Sequence, residues 1–305
     1  MKRTLLPPKR LVCCRDTAHG ELGGQVNVTA KTRIAAVIGF PVRQSLSPAI
    51  HNAAFAAHGD DWVYGAFEVQ PEYAASAIDA MRLLGVAGLS ITMPHKEMVI
   101  SALDDVSDTA RMIRAVNTVV RNDGRLVGHN TDGIGCVDAL RAANADLSSV
   151  AVIGAGATAR AVIAELARTG AHVAVTNRSA ERLADAVALG NTVRAHSTVA
   201  VPLDAVGDCR TIINTTPQGM ADVAPQAMAL DVGVLAQHHT VLDVVYHPLE
   251  TALVRAAQDR GCTVVDGLDM LCAQAARQQE LWLGRLPDVR HMRSAALSEL
   301  AKLHG

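Results

Sequence analysis

The chain has 305 residues, of which 50% are apolar, 19% charged and only 3% aromatic, with a formal net charge of −2. Such length and apolar content suit about two domains with buried cores and exclude a disordered or collagen-like chain. The near-neutral balance gives no basic field for nucleic acid or an anionic membrane, and no apolar run reaches the roughly 18 residues of a transmembrane helix.

Residues 1–31 carry Lys2, Arg3, Lys9, Arg10 and Arg15 without a continuous apolar segment, so they read as a disordered N-terminal extension or a misplaced start, not a secretory signal. A cytoplasmic protein is expected. From Arg33 onward, short β-like runs alternate with helical runs, the pattern of α/β architecture. Arg33–Phe40 reads as a buried strand ending in Pro41. Ser47, at the N-cap, and Pro48 open a helix to about His58. Trp62–Val69 is the next strand, Glu72–Leu84 a helix stopped by Gly85, and Ala87–Thr92 a third strand. Pro94 is expected to start a further helix. Val116–His129 alternates around Asn122-Asp123-Gly124, a hairpin signal, and a linking helix is expected over Gly133–Ala142.

The second half opens with strand Val150–Ile153, the turn Gly154-Ala155-Gly156-Ala157-Thr158-Ala159, and a helix over about Arg160–Arg168 closed by Gly170. Strands follow at Ala171–Thr176, Thr211–Asn214, Val241–Val245 and Thr263–Val265, with helix Leu249–Asp259 between the last two. A long amphipathic helix spans Leu268–Leu283. GxGxxA arises by chance in a chain rich in Ala and Gly, but here it joins a strand to a helix. In that setting Gly154 permits the tight turn, Gly156 lets a pyrophosphate approach the backbone, and the helix N-terminus supplies N–H donors. A tight turn with nothing bound is the plainer alternative.

The end of the following strand carries Asn177 and Arg178, then Arg182, where an NAD site would carry an acidic residue. Two guanidiniums suit a 2′-phosphate through charge-assisted bonds, and favour NADP over NAD by about 10²-fold. Six cysteines without CxxC and twelve histidines without HExxH form neither a disulfide framework nor a metal pattern, so no metal is expected.

Polar residues gather at strand-to-helix junctions of the first half, where open α/β sheets bind ligands: Ser45 and Ser47, Thr92 with Lys96, Asn117, and Asp132. Each has a plain structural role available. Ser47 and Asp132 could be helix caps and Asn117 a turn residue. Lys96 in the first turn of a helix would face the unfavourable end of the dipole, which points to function. Read with GFPVRQSLSPAIHNAAF (39–55), ITMPHKE (91–97), AVNTVV (115–120), GHNTDGIG (128–135), GAGATARA (154–161), NRSAER (177–182), NTTPQGM (214–220), DVVYHPLETAL (243–253) and DGLDMLCAQAA (266–276), in that order, the chain resembles the shikimate dehydrogenases over about residues 33–284.

The resemblance implies an α/β fold of two domains facing across a cleft. A substrate domain with a mixed, mostly parallel sheet would comprise 32–131 plus 268–305, and a Rossmann-type NADP domain 132–267. It implies substrate contacts from Ser45, Ser47, Thr92, Asn117, Tyr246 and Gln274, an acid–base pair of Lys96 and Asp132, and cofactor contacts from the 154–158 turn (Gly154, Ala155, Gly156, Ala157, Thr158), Asn177, Arg178, Arg182, Val244 and Gly267. The implied reaction is the NADP-dependent interconversion of 3-dehydroshikimate and shikimate in aromatic amino-acid biosynthesis. A homodimer stays open. Several positions depart from the commonest pattern: Ser90 for an Asn, Gln44 for a His, His95 for an apolar residue and Asp269 for a Gly. Those departures keep a quinate or aminoshikimate dehydrogenase as the runner-up. A non-catalytic NADP-binding sensor is the reading from another class, disfavoured by the presence of both Lys96 and Asp132.

Overall fold

The computed structural model describes residues 28–221 and 223–303. Residues 1–27 of the expected N-terminal extension therefore lie outside the described residues.

Two six-stranded sheets organise the chain. The first contains β1 (Arg33–Gly39), β2 (Trp62–Glu68), β3 (Gly88–Ile91), β4 (Asp105–Val106), β5 (Thr118–Asn122) and β6 (Arg125–His129), in the order β2-β1-β3-β5-β6-β4. β1 is an almost unbroken apolar run, as a strand covered on both faces should be, and it pairs in parallel with β2 and β3. β5 runs antiparallel to β3 and β6, and the β5–β6 turn places Asp123 and Gly124 at φ 47° and 82°, as a tight hairpin requires. Helices α1 (Ser47–His58), α2 (Ala74–Leu84) and α3 (Asp108–Ile113) connect these strands.

The second sheet holds β7 (Ser149–Ile153), β8 (His172–Thr176), β9 (Thr198–Ala200), β10 (Thr211–Asn214), β11 (Thr240–Asp243) and β12 (Thr263–Val265). All pairs are parallel, in the order β12-β11-β10-β7-β8-β9, so the winding reverses beside β7 in the Rossmann manner. α4 (Asp132–Ala142), α5 (Ala157–Thr169), α6 (Ala180–Val193) and α7 (Ala252–Asp259) accompany it. α8 (Gly267–Leu283) and α9 (Val289–Leu303) then return to the first sheet. There Leu268, Cys272, Met292 and Ala296 pack with Leu46, Ile50 and Ala54 of the α1 region, and each fully buried large aliphatic side chain contributes about 1.5–3 kcal/mol.

Glycines let the central helices approach closely. A Cβ on Gly133 would lie 2.3 Å from the Ala161 carbonyl oxygen of α5, and one on Gly135 would lie 2.6 Å from the Gln274 backbone of α8. A second seam joins α3 to α5: Ile113 and Ala115 pack on Ala161 and Ala164, while Arg160 donates from Nε to the Ile113 carbonyl at 2.9 Å and from Nη2 to Glu97 at 2.5 Å. Among the described residues no helix is long and apolar enough to cross a membrane.

Two local expectations are corrected. No α-helix follows Pro94; residues 93–99 form successive turns that end in a short 3₁₀ turn at Ile100–Ala102. The physical reason is a diverted carbonyl, because Lys96 O accepts from Val116 N on the way into β5 instead of from the next helical turn. The dipole argument for Lys96 falls with that helix. Nor is Ser47 an N-cap: α1 begins at Ser47 after Leu46, no side chain caps it, and Pro48 occupies the first turn. The sequence pattern does not announce α3 or α9; α3 is a six-residue helix marked only by its Ser107 cap.

Candidate active site

The chain crosses from the first sheet to the second at Thr131-Asp132 and crosses back at Asp266-Gly267, and these crossings flank a cavity of about 180 Å³. Asp132 opens α4, with its backbone N–H donating to Asn130 Oδ1 at 3.0 Å. Lys96, on the turn after β3, reaches across so that Nζ lies 2.5 Å from Asp132 Oδ2. The pair is sheltered but open to the cavity, with side chains 18% and 8% exposed.

Asn117 fixes the carboxylate. Its Nδ2 donates to Asp132 Oδ1 at 2.8 Å and to Thr131 Oγ1 at 3.0 Å, and its Oδ1 accepts from Thr131 N and from Thr118 Oγ1. Thr131 Oγ1 in turn donates to the Gln274 carbonyl at 3.0 Å, binding α8 to the start of α4. A buried polar network of this kind is rigid only when its members are satisfied, and these are. Lys96, Asp132, Asn117 and Gln274 are thus brought together. Ser45, Ser47, Thr92 and Tyr246 border the same cavity, and Ser47 N donates to Ser45 Oγ at 3.3 Å. Burial pushes the Tyr246 phenol up.

Three residues of the expected cofactor set, Thr158, Val244 and Gly267, also line this cavity. Val244 is placed by buried Asp243, which accepts from Asn214 Nδ2, Thr251 Oγ1 and Val245 N; burial pushes the Asp243 carboxyl up and those donors oppose it. Gly267 has to be glycine, since a Cβ there would sit 2.4 Å from the Val245 carbonyl oxygen. Gly154, Ala155, Gly156 and Ala157 lie outside the cavity lining, at the end of β7 where the sheet order reverses. Gly154 has φ 118°, which favours glycine, and open space stands over Gly156. The Gly154 N–H donates to the Thr176 carbonyl, which brings Asn177 and Arg178 next to that turn. Arg178 and Arg182 are exposed and make no side-chain hydrogen bond or ion pair among the described residues. A glycine cradle at a helix N-terminus with two unengaged guanidiniums beside it fits a phosphate-bearing dinucleotide. Among the described residues no cluster of His, Cys, Asp and Glu could hold a metal ion.

The departures from the family pattern fall into two groups. Gln44 is exposed, His95 is fully buried and donates from Nε2 to the Val69 carbonyl at 2.8 Å, and Asp269 pairs with Arg293 at 2.9 Å; none of them lines the cavity. Ser90 does line it, and hydrogen-bonds Tyr64 and Gln278. Sequence reasoning misses Gln278. The available signal is its four-residue spacing from Gln274, which places both on one face of α8.

Residues 37–119 match a family model described as the shikimate dehydrogenase substrate binding domain, and residues 267–297 match one described as the shikimate 5′-dehydrogenase C-terminal domain. Residues 149–246 match a model described as NADP oxidoreductase, coenzyme F420-dependent. A shikimate dehydrogenase (NADP(+)) of Symbiobacterium thermophilum is 43% identical over 280 residues, covering 88% of this chain and 95% of its own. A shikimate 5-dehydrogenase of Thermus thermophilus, solved with NADP(H) and shikimate, is 37% identical with a TM-score of 0.81, covering 88% of this chain and 99% of its own. A quinate dehydrogenase of Corynebacterium glutamicum, solved with NAD, is 34% identical with a TM-score of 0.80, over 88% of this chain and 99% of its own. With such identity sustained through both sheets and the returning helices, the chain belongs to the shikimate dehydrogenase family.

Proposed function

We propose that the protein is an NADP-dependent shikimate dehydrogenase that interconverts 3-dehydroshikimate and shikimate. The observation that carries this reading is the Lys96–Asp132 pair, held by Asn117 at the wall of a cavity bordered on one side by Thr158, Val244 and Gly267. The relatives named above support the substrate and the cofactor. We assign residues 32–131 and 268–305 to substrate binding and 132–267 to the nucleotide.

NADPH, when bound, supplies the hydride. The rest is the work of this chain. Gly154 and Gly156 leave the backbone open to the pyrophosphate at the head of α5, and Arg178 and Arg182 meet the 2′-phosphate. Ser45 and Ser47 hold the substrate carboxylate with their hydroxyls. Thr92, Asn117 and Gln274 surround the ring hydroxyls, with Tyr246 beside them. The Lys96 ammonium donates its proton to the ketone oxygen as that oxygen gains charge, and Asp132 orients the ammonium and stabilises it. In the oxidative direction the same amine takes up the hydroxyl proton as hydride leaves, and because the net oxidation releases a proton to solvent, its equilibrium moves toward the ketone at alkaline pH. The reading includes a cytoplasmic enzyme, and light scattering decides between a monomer and a homodimer.

Initial rates on purified protein, with NADP or NAD against shikimate, quinate and aminoshikimate, test the proposal. Turnover concentrated on shikimate with NADP is the expected result. Preference for quinate would overturn the substrate, preference for NAD the role of the two arginines, and NADP binding without turnover of any cyclic polyol would leave a sensor.

A further inference from the structure

One wall of the cavity is built differently from the sequence pattern that the family leads one to expect. β3 brings Ser90, not an asparagine, to this wall, so the strand offers no amide there. The Ser90 hydroxyl is engaged on both sides: Tyr64 Oη donates to Ser90 Oγ at 2.7 Å, and Ser90 Oγ donates to Gln278 Oε1 at 2.7 Å. Gln278 comes from α8, one helical turn beyond Gln274, and its Nε2 donates to the Asn117 carbonyl at 3.1 Å. The carboxamide is therefore fixed at both ends, 2% exposed, and still borders the cavity. Two fixed bonds hold an amide edge in one orientation, which a group that reads a ligand hydroxyl requires.

We propose that Gln278 is a specificity-determining residue: its carboxamide, delivered from α8, makes the ring-hydroxyl contact that an asparagine at position 90 would otherwise make, and Ser90 and Tyr64 are the props that aim it. The inference rests on the cavity being the site of a cyclic polyol, as argued above. The amide has moved from the strand to the helix, and the recognition has moved with it. A long side chain at 278 and a short one at 90 belong together, because Tyr64 Oη and Gln278 Oε1 already stand at hydrogen-bond distance from Ser90 Oγ and leave no room for two more heavy atoms.

The test uses the full-length chain with NADP and three variants, Gln278→Ala, Ser90→Asn and Ser90→Asn/Gln278→Ala, each checked for an unchanged melting profile. Gln278→Ala is expected to lower kcat/KM for shikimate about 10–10²-fold, mainly through KM, as loss of a substrate hydrogen bond does. For deoxyshikimates, each lacking one ring hydroxyl, the loss should vanish for the one whose missing hydroxyl Gln278 reads. Ser90→Asn alone should lower activity by crowding, whereas the double variant should return to within about threefold of wild type, a coupling that additive structural damage cannot produce. A Gln278→Ala enzyme within about twofold of wild type overturns the proposal, as does an equal loss on every analogue without rescue by Ser90→Asn. Wild-type rates test the parent reading separately. If quinate or aminoshikimate is the preferred substrate, the same variants are read on it. If no turnover occurs, calorimetric binding of shikimate is compared between wild type and Gln278→Ala, and absence of binding to wild type overturns both readings.

Discussion

Asn117 uses each polar atom of its side chain to hold something else in place, and that makes Asp132 a carboxylate with one geometry. Lys96 depends on that geometry. Replacing Lys96 by Ala is expected to lower kcat about 10²–10⁴-fold with a much smaller change in KM, measured by steady-state rates at saturating NADP. The role proposed for Arg178 and Arg182 is in binding instead. The double variant to Ala should erode the preference for NADP over NAD by about 10²-fold, read as the ratio of kcat/KM values for the two cofactors. Both guanidiniums are exposed, so their contribution should shrink as salt is added.

At the scale of elements, β7, β8, β10, β11 and β12 of the second sheet are legible because each is a short apolar run bounded by turn residues, and the same holds for β1; β9, an edge strand buried only at Thr198, is not. What the sequence hid was local competition for backbone groups. Pro94 looked like a helix start, yet Val116 N takes the Lys96 carbonyl, and a contact between residues twenty apart leaves no trace in periodicity. In the site, the motif residues were legible as a set while their support was not. Gln278 shares a face of α8 with Gln274 by spacing, but its partner Ser90 comes into view only when α8 is laid against β3. The packing of α4 on α8 is where such support is set. Gly135→Ala would put a methyl group 2.6 Å from the Gln274 backbone, so the helices must part, carrying Asp132 and Gln274 with them. A stability loss of about 1–3 kcal/mol in urea denaturation, together with a lower kcat, is the expected outcome.

For the whole molecule, the buried ring at His51 ties stability to pH. It stacks on Tyr64 at 4.2 Å, and burial pushes its imidazole down to about 3 from an ordinary 6.5. The unfolded chain therefore binds a proton that the folded chain refuses. Stability from this group is complete above pH 6.5 and is lost as pH falls toward 3, with a limiting slope of about 1.4 kcal/mol per pH unit. The unfolding free energy from urea titrations should fall between pH 7 and 5, approaching that slope at the acid end, and His51→Leu should make the fall shallower, leaving the part due to the burial of His129 and His239. The return of α8 and α9 to the first sheet has a further consequence, for synthesis. All six strands of the nucleotide sheet lie within residues 149–265, so that sheet has every strand before residue 268 leaves the ribosome. The first sheet is translated earlier but cannot cover α1 until Leu268, Cys272, Met292 and Ala296 arrive. The part made first is therefore the part finished last, and a chain truncated after residue 267 should resist protease over the second sheet while remaining open to cleavage around α1.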